Sequence, residues 1–350
     1  MTLVRRQLIG FGVLAVAAIL CTLALGLVGA PSPALFGGLA AAVGVALLMP
    51  DPPRMPRLLG RTAQALVGVI VAAGVDFEAL AHLGSAWPWV VLVIALTMAV
   101  SLLLGMMLTR AGVSRVTAAF ASIAGGASSM TAIAQDFGAD QRIVVVVQYF
   151  RVLLVLTTLP IVVTQAFSAT VTGGDAAATA VTGADLAFLA IAVAVGPLLG
   201  HLLRIPAPAL LGAMAVGLAL KAGGLFTEAT VPAAVVTAAF LLIGVQAGLG
   251  FTPDALRVLR HLFPPVLVSS VLLIGFCGAL SVPFARITGA TALDAYLATS
   301  PGGLPVVLAT ASETAGDLTF VTAVQVLRVL AIMLLVPLVT VLLRRFRRRD

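Results

Sequence analysis

The sequence predicts an all-α polytopic membrane protein built as two inverted repeats, each with about five transmembrane helices and one re-entrant or broken glycine-pair segment. Three observations predict it. Apolar stretches near bilayer length recur along the whole chain, and only 9% of residues are charged, where soluble domains are roughly a quarter charged. Short motifs recur in matched register in both halves. The basic residues sort best to one side of a membrane when one segment per half does not cross it.

Twelve apolar segments follow in order. Six lie at roughly 7–28, 33–49, 58–75, 86–109, 115–135 and 142–166, and six at roughly 185–203, 206–221, 231–249, 262–284, 288–312 and 318–343. The first, Leu8 to Val28, is too long for a signal-peptide core and leads into no cleavage site, so it reads as a retained helix. Between the sixes lies "SATVTGGDAAATAVTGAD", small and polar, with no lysine or arginine. Composition makes it a linker. The chain divides into a first membrane repeat (1–167), a linker (168–184) and a second repeat with a basic tail (185–350).

The halves repeat each other. "PSPALFGG" from Pro31 matches "PAPALLGA" from Pro206, and "GVDFEAL" from Gly74 matches "GFTPDAL" from Gly250. "ASIAGGASSM" from Ala121 matches "ATSPGGLPVV" from Ala298, "QYFRVL" matches "QVLRVL", and Pro160 matches Pro337. Matched polar and glycine positions in one register separate duplication from the general likeness of apolar helices.

The fifth segment of each half carries a glycine pair, Gly125–Gly126 and Gly302–Gly303. Ser122, Ser128, Ser129 and Thr131 surround the first, and Thr299, Ser300, Pro301 and Pro305 the second. A glycine face for helix packing is one reading. The other is a break, since Pro301 has no amide hydrogen and disfavours helix at Ser300. Irregular backbone at membrane depth survives only where protein or a water-filled cavity covers it.

Charge chooses the topology. If all twelve segments cross with the N-terminus inside, 14 basic loop and tail residues lie inside and 4 outside. If the two glycine-pair segments do not cross, the split becomes 16 and 2, and the linker becomes periplasmic. Five crossings per half then invert the second repeat, with both termini cytoplasmic in a bacterial inner membrane. Inverted repeats whose broken segments meet near the midplane are the plan of many secondary transporters.

Buried charge points to chemistry. Gln148 and Arg151 lie inside one apolar segment, and Gln325 and Arg328 at the matching place in the other. Arg151 is about 13 Å into its helix at 1.5 Å per residue, in a core about 30 Å thick. An arginine there costs about 2.5–3.5 kcal/mol on insertion scales. Glutamine and arginine three apart share a helix face. A guanidinium fork suits a carboxylate or phosphate. One reading is an anion site lined by Arg151, Arg328, Gln148, Gln325, Ser128, Ser300 and the amides at Gly125, Gly126, Gly302 and Gly303. The other is that each arginine satisfies carbonyls freed by the neighbouring break.

Carboxylates are fewer. Asp140 and Asp317 precede their helices as N-caps do. Asp136 and Glu313 are matched and read as counter-charges at a break or as solvated loop acids. Asp294, matched to Thr117, is the proton-coupling candidate, with an interfacial position as its alternative. The three histidines, His82, His201 and His261, fall near loops or helix ends, and Cys21 and Cys277 sit inside apolar segments. No catalytic motif, cofactor site or metal-ligand cluster is expected.

The duplicated block with "SIAGG" and "TSPGG", each followed by QxxR and a proline, resembles the AbrB-type integral membrane family of bacteria across nearly the whole chain. Members are often labelled transcriptional regulators or ammonia monooxygenases, and the name is shared with an unrelated small DNA-binding protein. The inverted plan is also similar to the large group of cation–proton antiporters and anion transporters, a likeness of fold alone. The residues lead us to expect a secondary transporter of a small anionic solute, an organic acid, seated in the lipid bilayer, with a homodimer compatible. The rival is a membrane-embedded regulator of gene expression acting through a partner. No soluble stretch longer than about 20 residues is present to touch nucleic acid directly. A membrane oxidase subunit, the third option, lacks ligands.

Overall fold

The computed structural model describes residues 3–27, 32–75, 86–123, 138–167, 181–205, 207–224, 226–251, 253–314 and 316–347. Gly125, Gly126, Ser128, Ser129, Thr131, Asp136 and residues 168–180 of the linker lie outside them, as do the side chains of Glu313 and of Met333 onward. The described residues form helices and no strand. In chain order these are α1 (Leu3–Leu27), α2 (Pro33–Leu48), α3 (Arg57–Gly74), α4 (Trp87–Gly105) with a 3₁₀ turn at Met106–Ala111, α5 (Arg115–Ser122) and α6 (Gln141–Ala166). The second half gives α7 (Gly183–Leu202), α8 (Pro208–Ala222), α9 (Ala233–Gly248), α10 (Pro253–Thr288), α11 (Ala292–Thr299), α12 (Leu304–Glu313) and α13 (Leu318–Arg347). Among the described residues, five stretches are long and apolar enough to cross a bilayer: α1, α4 with its 3₁₀ turn, α6, α7 and α10. The chain is an all-α polytopic membrane protein.

One boundary differs from expectation. The apolar reading starts the tenth segment near residue 262, yet α10 begins at Pro253. Proline is accommodated at a first helical position. Beyond it Leu259 and Leu262 are buried while Arg260 and His261 are exposed. That spacing makes an amphipathic turn before the apolar run.

Two compact units emerge, and neither is a sequence half. The first comprises Met1–Val75, Ser168–Pro253 and Leu308–Ala315. In it α2 packs on α9 and α8 on α3, so matching helices exchange partners between halves. A Cβ at Gly244 would collide with the carbonyl oxygen of Leu35, and a Cβ at Gly68 with that of Leu210. Bare glycine at these two positions lets the backbones close, which is how helices associate where lipid is as apolar as the side chains. Both α2 and α8 start after a left-handed residue, Ser32 (φ 46°, ψ 54°) and Ala207 (φ 46°, ψ 58°). Non-glycine residues held there carry strain of about 1–3 kcal/mol. Recurrence of the same strain before Pro33 and Pro208 marks it as part of the duplicated design.

The second unit comprises Asp76–Phe167, Asp254–Val307 and Gly316–Asp350. It holds α4, α5, α6, most of α10, α11 and α13, with α5 packed on α6 and α11 on α13. Both QxxR pairs and both described approaches to the glycine pairs fall in it.

Candidate functional site

The short helices α5 and α11 are the frame. Ser114 Oγ accepts the Thr117 amide at 3.2 Å, and Thr291 Oγ1 accepts the Asp294 amide at 3.1 Å. These are N-caps at matched positions. Each capped residue then reaches the start of the next long helix. Thr117 Oγ1 accepts the Asp140 amide at 3.0 Å, and Asp294 Oδ1 accepts the Asp317 amide at 2.8 Å. Asp140 caps α6 through the Arg142 amide at 2.9 Å, and Asp317 accepts the Phe320 amide at 2.9 Å in the first turn of α13. Asp294 is buried, and its other oxygen accepts the Thr291 hydroxyl at 2.6 Å.

Both short helices stop just ahead of their glycine pair. Ile123 (φ −59°, ψ 118°) and Ser300 (φ −56°, ψ 136°) leave helical geometry. Ser300 to Gly303 is non-helical, and helix resumes at Leu304. The second glycine pair therefore sits in a break, as Pro301 requires, and a continuous glycine packing face is excluded there. Gly302 is buried, and a Cβ on it would press on Val307 at 2.8 Å and Val155 at 3.0 Å. Gly303 is half-buried.

The freed carbonyls are where the QxxR pairs go. Gln148 Nε2 donates to Phe120 O at 3.0 Å and Ile123 O at 2.8 Å. Arg151 donates from Nη1 to Ser122 O at 2.6 Å, and from Nη2 to Ile123 O at 3.3 Å and Gln148 Oε1 at 2.7 Å. In the second half Gln325 Nε2 donates to Leu297 O at 2.8 Å, with longer bonds to Ala298 O at 3.3 Å and Ser300 O at 3.4 Å. Arg328 donates from Nη1 to Ser300 O at 2.6 Å and from Nη2 to Gly302 O at 3.2 Å. All four side chains are buried, none more than 4% exposed. A single helical turn thus satisfies the unpaired C-terminal carbonyls of a short helix, twice.

Bracing leaves a remainder. The Nε of Arg151 and of Arg328 finds no acceptor among the described residues, and neither arginine has a carboxylate partner there. A helix C-terminus offers roughly half a negative charge, so each site keeps net positive charge. Two narrow clefts border the pair. One is lined by Arg328, Pro301, Ile123, Cys277 and Ser101, the other by Arg151, Ser122, Ser269, Ser270 and again Ser101. Ser101 and Leu273 belong to both, so the two clusters are neighbours. Each cleft, as closed here, has room for little more than a water-sized group.

Sequence reasoning singled out Thr299 only as a flank of the second glycine pair, and it missed Ser101 and Thr322. Ser101 donates to Ser122 O at 2.5 Å, Thr299 Oγ1 donates to Cys277 O at 3.1 Å, and Thr322 keeps a buried hydroxyl with no partner among the described residues. Isolated hydroxyls in apolar helices are common, and no hydroxyl at the matching place in the other half marks Ser101 or Thr322. Thr322 alone carried a signal, one turn before Gln325 on the same face.

The family described as "Transition state regulatory protein AbrB" matches residues 34–344. The chain belongs to the AbrB family. The matched span runs from α2 into α13, so it takes in both glycine-pair segments and both QxxR pairs of this AbrB sequence. An Escherichia coli (strain K12) protein named "Putative regulator AbrB" is 33% identical over 293 residues, covering 81% of this chain and 82% of that one. A Bacillus subtilis (strain 168) protein named "Uncharacterized protein YhjN" is 29% identical over 312 residues, covering 83% and 80%. No solved structure matches the chain.

Proposed function

We propose that the protein is a secondary transporter of a small anionic solute, an organic acid, in the bacterial inner membrane. One observation carries this: two buried guanidiniums at matched positions, each beside a break, have no carboxylate among the described residues. Bracing alone does not call for arginine, because Gln148 and Gln325 already donate to the same stretch of carbonyls. Keeping a charge at helix centre costs about 2.5–3.5 kcal/mol on insertion scales. A bound anion would offset that cost and accept the remaining donors. The N-terminal end of the α12 dipole, directly after Gly303, also favours negative charge.

In this reading the glycine-pair backbone and the QxxR turns of two inverted repeats form one site near mid-membrane, with the linker periplasmic and both termini cytoplasmic. The closed clefts must part to admit a solute, which is the motion alternating access needs. Asp294 is the buried carboxylate of this unit among the described residues. Its protonation would loosen the contacts to Thr291 and Asp317 and couple transport to protons. The name of the Escherichia coli relative fits if the moved solute itself governs expression.

Purified protein in liposomes, offered labelled lactate, succinate, malate and citrate with and without an imposed pH gradient, tests the proposal. Saturable uptake of at least one acid above empty liposomes is the expected result. Folded, inserted protein that moves none of them in either condition would overturn it.

A further inference from the structure

The two clusters differ in what they leave over. In the first half Gln148 Oε1 accepts from Arg151. In the second, Gln325 Oε1 accepts from nothing described, and Ser300 Oγ, Thr322 Oγ1 and Arg328 Nε are likewise without partners. All four residues are buried, with Gln325 and Ser300 at 0% and 1% exposure. The amide orientation of Gln325 is set by its Nε2 bonds to carbonyls, so the free atom is an acceptor. Arg328 commits two of a guanidinium's five N–H donors. A ligand that completes this cluster must therefore accept at Arg328 and donate at Gln325.

We infer that the second-half cluster is the specificity site and that it selects hydroxycarboxylates over plain carboxylates, an inference that rests on the anion reading above. The carboxylate takes the free donors of Arg328. The hydroxyl donates to Gln325 Oε1, and Ser300 and Thr322 bring two further unpartnered hydroxyls to the cluster. A plain carboxylate would leave the buried amide oxygen unpaired, and sites with such orphaned polar groups reject the analogue that lacks the hydroxyl. An ammonium would also donate, but it would sit beside Arg328, and the oxygens of the buried Asp294 are already engaged by Thr291 and Asp317.

The probes are two matched pairs, malate against succinate and lactate against propionate. Their binding to the purified full chain is read by calorimetry, alongside Thr322→Val and Ser300→Ala, neither of which removes a hydrogen bond to the break that Gln325 and Arg328 make. Wild-type protein should bind each hydroxy acid at least tenfold tighter than its partner. Either variant should pull that ratio toward one. Equal affinity within both pairs for wild-type protein overturns the specificity inference and leaves the anion reading standing. Failure of all four acids to bind removes both. A preserved ratio in both variants reassigns the hydroxyl contact away from Ser300 and Thr322 and so contradicts the cluster proposed.

Discussion

Set side by side, the two QxxR clusters show one frame with two outcomes. Both cap a short helix, tie its third residue to the next long helix, and turn a glutamine and an arginine onto the carbonyls at its end. Arg151 makes three bonds and closes on Gln148, whereas Arg328 makes two and leaves Gln325 Oε1 open. Duplication supplies the frame, and divergence supplies the difference in hydrogen bonding. In the proposed reading the first cluster braces the helix end, and the second also takes the ligand.

The largest expected effects break the frame itself. Gly68→Val and Gly244→Val each drive a side chain into a carbonyl of the partner helix. Overpacking that cannot relax costs on the order of 3 kcal/mol. Folded yield and unfolding in detergent should fall about equally for both. A large loss at one with none at the other would show that the exchanged crossing is not symmetric.

Next come the arginines. Arg151→Gln removes three charge-assisted bonds and Arg328→Gln two. At roughly 1.5–3 kcal/mol per bond to a charged group, less the relief of burying no charge, Arg151→Gln should destabilise the ligand-free protein more by about 1–2 kcal/mol. The order of apparent unfolding temperatures checks this, and a reversed order would undo the division of labour.

Smaller is Asp294→Thr, which gives the second half the residue of the first. Threonine can accept the Asp317 amide as Thr117 accepts that of Asp140. Stability should change by less than about 1 kcal/mol. The pH dependence of uptake should disappear if the carboxylate couples protons, and should persist unchanged if it only clasps. Smallest is Ala207→Gly, which relieves a left-handed alanine and should stabilise by about 1 kcal/mol. Chemical unfolding that shows a loss instead would mean the alanine methyl packs usefully.

Much of this was legible in sequence because its cause is local. Pro301 dictates the break at Ser300, Asp140 and Asp317 cap as their positions imply, and glutamine and arginine three apart share a face. Long-range partners were not legible. Nothing in "QYFRVL" states that its donors fall on Phe120, Ser122 and Ile123, and nothing local pairs α2 with α9 of the other half. Ser32 and Ala207 in left-handed geometry before prolines run against local preference, and only packing holds such residues. The early start of α10 was hidden by Arg257, Arg260 and His261, which end an apolar run without ending the helix.

In the proposed reading Arg328 holds an anion as well as a backbone. Thermal unfolding of the detergent-purified protein with and without saturating malate tests it most directly, in wild type, Arg328→Lys and Arg328→Gln. A ligand at about a hundred times its Kd stabilises the folded state by roughly 2.7 kcal/mol. Wild type should show a shift of that order, Arg328→Lys a reduced one because the fork is lost, and Arg328→Gln none. A full shift in Arg328→Gln would show that the anion binds elsewhere and that the buried arginine serves the break alone.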